Sequence, residues 1–466
     1  MIVITLPEIA EAVAGRLVAV DPTAQIVTGP VEFDSRKVTP GALFVAFPGE
    51  KVDGHDYAAE AVAAGATAVL GTREVAGVPM VLVDDALTAM GELARAVLDR
   101  LPDLTVVGLT GSSGKTSTKD LIAQLTARLG PTVAPPGSFN NELGHPYTAL
   151  QADPGTRFLV LEKGSRGIGH VRYLCEVAPP RIAVVLNVGN SHIGEFGSVE
   201  AIAQAKGELV EALPAYGLAV LNADDPRVRA MSARTQARVV LVGEAPDAEV
   251  RAEDVTVDER GRPSYTLVTP EGRAPVRLGL TGRHQVGNTL AAAAVARELG
   301  MPLAELATAL GELELVSTRR MDVFDRPDGV TVIDDSYNAN PASMSAALRA
   351  LASLGHDRRK LAVLGYMAEL GAYEREGHAG VGRLAAELGV DRLFVVGEPA
   401  APIHEGASEV EDWGGLSVLV PDQAAAVDAL RGELRPGDVV LVKGSRYRTW
   451  EVADALRADA DQEGAA

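Results

Sequence analysis

The sequence predicts an α/β protein of three units: a small α/β unit at residues 1–103, a central unit at 104–316 and a C-terminal doubly wound, Rossmann-like unit at 317–466. Two observations carry this reading. Apolar runs in the central and C-terminal regions are continuous rather than alternating, and helix-like stretches separate them, which marks parallel sheets covered on both faces. The first central run, at 105–109, passes into "TGSSGKTS", the strand–turn–helix pattern of a phosphate loop.

The elements follow in order. "ALFVAF" (42–47), "YAAEAVAAG" (57–65), "TAVLG" and "PMVLVD" give the N-terminal unit its strands and a helix, and "RLPDL" (100–104) serves as a linker. In the central unit the strands are 105–109, "RFLVLE" (157–162), "PRIAVVLNVG" (180–189), "GLAVLNADDP" (217–226) and "RVVLVG" (238–243). Residues 246–280 alternate and are rich in turns, which predicts a small antiparallel excursion. In the last unit "VTVIDD", "KLAVLG", "RLFVVG", "LSVLVP" and "DVVLVKG" alternate with helices such as "PASMSAALRALASLG". Its βα turns hold no GxGxxG, which argues against a dinucleotide site.

Composition narrows the function classes. A formal net charge of −20 opposes binding to nucleic acid or anionic lipid. No window reaches about 18 uninterrupted apolar residues, and the N-terminus carries Glu8 and Glu11 where a signal peptide would be basic, so neither membrane nor export is expected. The lone Cys175 cannot form an internal disulfide, which suits a reducing cytoplasm. Aromatic residues are only 4%, so the cores must be built from Ala, Val and Leu.

The loop residues Gly111, Ser112, Ser113, Gly114, Lys115, Thr116 and Ser117 carry the first chemistry. The glycines let backbone N–H groups converge on phosphate oxygens, Lys115 supplies a point charge, and Thr116 or Ser117 supplies a hydroxyl for Mg²⁺. Position 109 is Leu, so the strict G-x-x-x-x-G-K-[ST] spacing is not met, although the strand–turn–helix context is right. The loop alone indicates a nucleoside triphosphate and does not separate a kinase, a switch or a ligase.

Three further residues stand at strand ends or on an apolar stripe. Lys206 lies with Ile202 and Leu209 on the inner face of a helix starting near Ser198. Burial favours its neutral amine, which can take up CO₂ as a carbamate and so become a carboxylate-like ligand. The plainer alternative is a lysine whose stem packs while its head reaches water. His192 sits in a glycine-rich loop after a buried strand, and Glu162 closes another strand, so both occupy the ends where open α/β sheets bind ligands.

These residues, with "FDSRKVTPGALFVAFPGEKVDGHDYA", "GSFNNELGHPYTAL", "GRHQVGNTLAAAAVA", "RRMDV", "DDSYNANPASM" and "LGYMAELG", resemble the Mur ligases nearly end to end. The "NNELGHP" segment is similar to the D-alanyl-D-alanine-adding branch of that family. The resemblance implies a three-domain architecture and an ATP-dependent ligase acting through an acyl phosphate. Its product would feed peptidoglycan synthesis, and with it cell wall, shape and division. It implies UDP-N-acetylmuramoyl-tripeptide, D-alanyl-D-alanine and ATP as small-molecule partners, two Mg²⁺ ions, and a cytoplasmic monomer. Lys115 would contact the ATP phosphates, and Thr116, Glu162, His192 and a carbamylated Lys206 would hold metal, with Lys115, Lys206 and His192 forming the catalytic set. Asn288 would face adenine, and Arg320 and Asp335 would reach the nucleotide from the C-terminal unit. Ser35, Arg36 and His55 would lie near the UDP group, and Asn140 and Asn141 along the peptide channel.

Some positions depart from the family's pattern: Lys163 stands where Met is common, Tyr366 where a carboxylate is usual, and Tyr447 and Trp450 in a normally slimmer stretch. Lys163 should turn away from Glu162 into a buried layer, or weaken the metals if it comes close. Two other readings stay open here: a sibling ligase adding a different amino acid, against which stands the lack of an Asp-Asn-Pro-Arg motif in the last unit, and a phosphate-loop binding protein with weakened synthesis.

Overall fold

The computed structural model describes residues 1–20, 26–49, 51–190 and 192–464. Its three main sheets follow one another along the chain. The first has five strands in the order Arg16–Val18, Met80–Leu82, Ala68–Gly71, Leu43–Val45 and Val31–Glu32, parallel except at Arg16–Val18. The helix Ala86–Leu98, capped by the Asp85 side chain, packs Met90, Leu93 and Val97 into its core.

The central sheet has nine strands. Thr105–Thr110 lies between Phe158–Glu162 and Ile182–Val185, parallel to both. The strand order reverses at that point, which opens a crevice at the carboxyl ends of the strands. The loop 110–117 and Glu162 occupy those ends because the chain must turn there. Residues 246–280 differ from the expected excursion: Val250–Val257 joins Arg238–Gly243 in parallel, and Pro263–Thr269 and Gly272–Arg277 extend the same sheet antiparallel. Alternation in that stretch reflects one covered face.

The helix Gln285–Glu298 is buried along most of its length through alanines, which permits close approach to the phosphate-loop helix Lys115–Ala127. The last sheet runs Asp322–Asp325, Thr331–Asp334, Val439–Lys443, Lys360–Leu364, Arg392–Val396, Leu416–Val420, with only the first strand antiparallel. Insertion of Val439–Lys443 between Thr331–Asp334 and Lys360–Leu364 brings Asp335, Lys443 and Tyr366 together at the carboxyl ends of these strands. Among the described residues no helix is long and apolar enough to cross a membrane.

Candidate active site

A cavity of about 690 Å³ lies between the central and C-terminal units. Its wall includes the loop from Ser112 to Ser117, together with Asn140, Asn141, Glu162, His192, Lys206, Asn288, Arg320 and Asp335. The fold therefore brings residues from well-separated stretches of sequence to one place. Gly111 serves from behind, its carbonyl accepting from Lys115 Nζ at 2.7 Å.

The loop enters its helix through Gly114 at φ +80°, a left-handed conformation that suits glycine. A Cβ there would also stand 2.8 Å from Asn288 Oδ1. Asn288 thus packs directly on the phosphate loop, with its Nδ2 donating to Gln285 Oε1 at 2.9 Å. Asn187, which the sequence reading missed, accepts on Oδ1 from the amides of Ser112 (3.0 Å) and Ser113 (2.9 Å). Its position at a strand's carboxyl end was the available signal.

Thr116 is the hub. Its hydroxyl donates to Glu162 Oε2 at 2.9 Å and accepts from Arg320 Nη2 at 3.1 Å. The other Glu162 oxygen accepts from Asn140 Nδ2 at 2.6 Å. Arg320 stacks over the Tyr337 ring at 4.1 Å from its centroid, and its buried Nε has no hydrogen-bond partner among the described residues. Burial holds the amines of Lys115 and Lys206 below their ordinary range, Lys206 far below, where the neighbouring Lys115 adds to the effect. Lys206 is only 4% exposed and lines the cavity.

His192 and Asp335 line the cavity and also hold protein partners of their own. His192, at φ +60°, turns Nδ1 to the Glu369 carboxylate in "MAELG" and lies 3.8 Å from Glu195. There the two units touch backbone to backbone: Gly194 N donates to Glu369 O at 3.1 Å, and a Cβ on Gly194 would come within 2.6 Å of Gly371 N. Asp335 pairs with buried Lys443 and accepts from Met321 N at 3.1 Å. It thereby pins the turn in which Arg319 and Met321 are left-handed (φ 59° and 54°), and that turn carries Arg320.

Ser35, Arg36 and His55, expected near a UDP group, lie outside the cavity wall. His55 is buried, with Nδ1 on Asp53 Oδ1 (2.6 Å) and Nε2 accepting from the amides of Thr72 (2.8 Å) and Arg73 (3.3 Å). Both ring nitrogens are occupied, so His55 holds its loop together through its ring. Ser35 opens a short 3₁₀ turn, and exposed Arg36 pairs with Asp34 at 2.8 Å. Nearby, Phe33 stacks edge-on against Tyr147 (4.9 Å) and Glu32 accepts from the Tyr147 hydroxyl at 3.2 Å. This joins the first unit to the helix that follows Asn140 and Asn141.

The departures also find places. Lys163 is fully buried and absent from the cavity wall, so it does not crowd the Glu162 carboxylate; burial lowers its amine to about 8. Tyr366 donates to Glu374 Oε2 at 2.8 Å and stacks on His378, so a carboxylate still stands close to that position. Ser191, beside His192, lies outside the described residues.

Residues 30–97 match the family model described as Mur ligase family, catalytic domain; 109–296 match the Mur ligase middle domain; 319–446 match the Mur ligase, glutamate ligase domain. A Mycobacterium tuberculosis protein named UDP-N-acetylmuramoyl-tripeptide–D-alanyl-D-alanine ligase is 50% identical, with 98% of each chain covered. Its namesake in Escherichia coli is 36% identical, with 97% of each covered. Among solved structures, MurF from Acinetobacter baumannii superposes with a TM-score of 0.88 at 29% identity, covering 99% of each chain. The MurF ligase of Thermotoga maritima in complex with ADP gives 0.82 at 30% identity, covering 94% of this chain and 99% of that one. By this identity over nearly its whole length, the chain belongs to the Mur ligase family.

Proposed function

We propose that this protein is an ATP-dependent ligase that joins D-alanyl-D-alanine to UDP-N-acetylmuramoyl-tripeptide by an amide bond, in peptidoglycan precursor synthesis. The observation that carries the reading is the 50% identity, across 98% of both chains, to a relative named for that reaction. ATP is supplied by the cytoplasm, which is where we place the reaction.

The chemistry must overcome the poor leaving group of a carboxylate. A carboxylate oxygen of the tripeptide attacks the γ-phosphorus of ATP, the bond to the β-phosphate oxygen breaks, and ADP leaves. The acyl phosphate is then attacked at carbon by the D-alanyl-D-alanine amine. The tetrahedral adduct collapses to an amide, releasing phosphate that carries the former carboxylate oxygen, and the amine loses a proton. Lys115 and the loop amides bind the phosphates, while Arg320, with its unpartnered Nε, adds a second cation where charge moves during transfer. Enclosure between the two units protects the acyl phosphate from water.

The donor set suits Mg²⁺, a hard cation that takes oxygen. Thr116 Oγ1 and the Glu162 carboxylate meet at one spot, and burial with the neighbouring Lys115 shifts the Lys206 amine toward the neutral form that takes up CO₂. His192 lies on the same wall with Nδ1 turned to the Glu369 carboxylate, which leaves Nε2 as the ring nitrogen that would take a metal. We assign Thr116, Glu162, His192 and carbamylated Lys206 to metal. When bound, Mg²⁺ would supply charge neutralisation for the triphosphate. Asn140 and Asn141 face the acceptor peptide in this reading, and Ser35 and Arg36 its nucleotide end.

Phosphate release with ATP, Mg²⁺, UDP-N-acetylmuramoyl-tripeptide and D-alanyl-D-alanine, each omitted in turn, tests the assignment. Release should require all four. Release that persists without the dipeptide, or that a different amino acid supports better, contradicts it.

A further inference from the structure

Lys163 follows Glu162 directly, yet its side chain leaves the opposite face of the strand. Nζ donates to Leu174 O at 2.8 Å and Ala178 O at 3.1 Å, at the carboxyl end of the helix His170–Val177, and lies 2.8 Å from His145 Nε2. These contacts use all three ammonium protons and set the charge against the helix's partial negative end. The stem is equally confined, since a Cβ on Gly108 would come within 2.8 Å of Lys163 Cε.

Residues 162–164 grip the segment 140–145 at both ends. At one end Asn140 Nδ2 donates to Glu162 Oε1 at 2.6 Å, and Gly164 N donates to Asn140 O at 2.8 Å. At the other, His145 N donates to Asn141 O and Gly144 N to Asn141 Oδ1, both at 2.9 Å, while the His145 ring meets Lys163. The contacts close a ring running Glu162, Asn140, Asn141, His145, Lys163 and back through the backbone to Glu162. Lys163 and His145 are its links outside the cavity wall.

We infer that Lys163 is a positioning residue that, without touching substrate, fixes Asn140 and Asn141 against Glu162 and so sets how the acceptor peptide meets the phosphate loop. The inference rests on the function proposed above. Removing the ammonium while keeping the stem should loosen the segment without emptying the core.

Lys163→Met should lower kcat/KM for the UDP-muramoyl-tripeptide about 10-fold and change KM for ATP less than about two-fold. Combined with Asn140→Ala it should cost no more than the worse single variant, because both break one ring. His145→Leu should reproduce the defect. His145→Gln, whose amide can face Nζ, should restore most activity. Hydrogen exchange of the free protein should quicken at 140–145 in Lys163→Met and His145→Leu, with the strand Thr105–Thr110 unchanged. Additive losses, equal shifts in KM for all substrates, or unchanged exchange at 140–145 would each overturn the inference. Should Lys163→Met not fold, the His145 pair decides the matter by the same criteria. If the wild type releases no phosphate with these substrates, the proposed function fails, and the exchange measurement alone judges the Lys163 linkage.

Discussion

Arg320 donates from Nη2 to the Thr116 hydroxyl at 3.1 Å, across the boundary between the C-terminal unit and the phosphate loop. The same hydroxyl donates to Glu162 at 2.9 Å, so closure of the last unit and the arrangement of the loop are one hydrogen-bonded system.

Arg320→Ala should therefore lower kcat by about 10²–10³-fold, the usual cost of losing one preorganised donor at developing charge. ATP binding measured at equilibrium should weaken far less. Rapid-quench and binding measurements separate the two; equal losses in both would make Arg320 a ground-state contact only.

Lys115→Ala should abolish phosphate release, by about 10³-fold or more. In the structure Lys115 folds onto its own loop, at 2.7 Å from Gly111 O, so the variant should still fold. Circular dichroism alongside the assay checks that the loss is chemical.

Lys206→Ala should cripple turnover, with partial rescue by short carboxylic acids that fill the space of the carbamate. Burial and Lys115 both favour the uncharged amine. Unchanged turnover in the variant would remove the carbamate from the account.

His378 gives a pH prediction for stability. Its Nε2 accepts from Met367 N at 2.9 Å and Nδ1 faces Glu374 O at 2.6 Å, which fixes a neutral ring. Burial lowers its folded pKa below the ordinary 6.5. The unfolded chain then binds the proton first, so stability is full above about pH 6.5 and falls as pH drops toward the folded value. Thermal melts from pH 7.5 to 5 should show a steeper acid loss in the wild type than in His378→Gln.

How much of this was legible in the sequence follows from the kind of signal each part carries. The phosphate loop was visible because strand, glycines and lysine are contiguous, and Lys206 because helical spacing places it on the apolar stripe with Ile202 and Leu209. Glu162 was legible as a strand end. Contacts between distant stretches were not. Nothing local links His192 to Glu369, Lys163 to the carbonyls of Leu174 and Ala178, or Asp335 to Lys443. Nor does the sequence show that the His55 ring bonds Asp53 and the Thr72 amide, because a loop histidine looks the same whether its nitrogens face a ligand or its own backbone.

In the proposed reaction ATP activates a carboxylate inside this cavity. This step is tested most directly with UDP-muramoyl-tripeptide carrying ¹⁸O in the carboxylate to be joined. The account predicts one ¹⁸O in each phosphate released, because the carboxylate oxygen leaves with phosphorus when the amine attacks. Phosphate free of ¹⁸O while amide accumulates would contradict it.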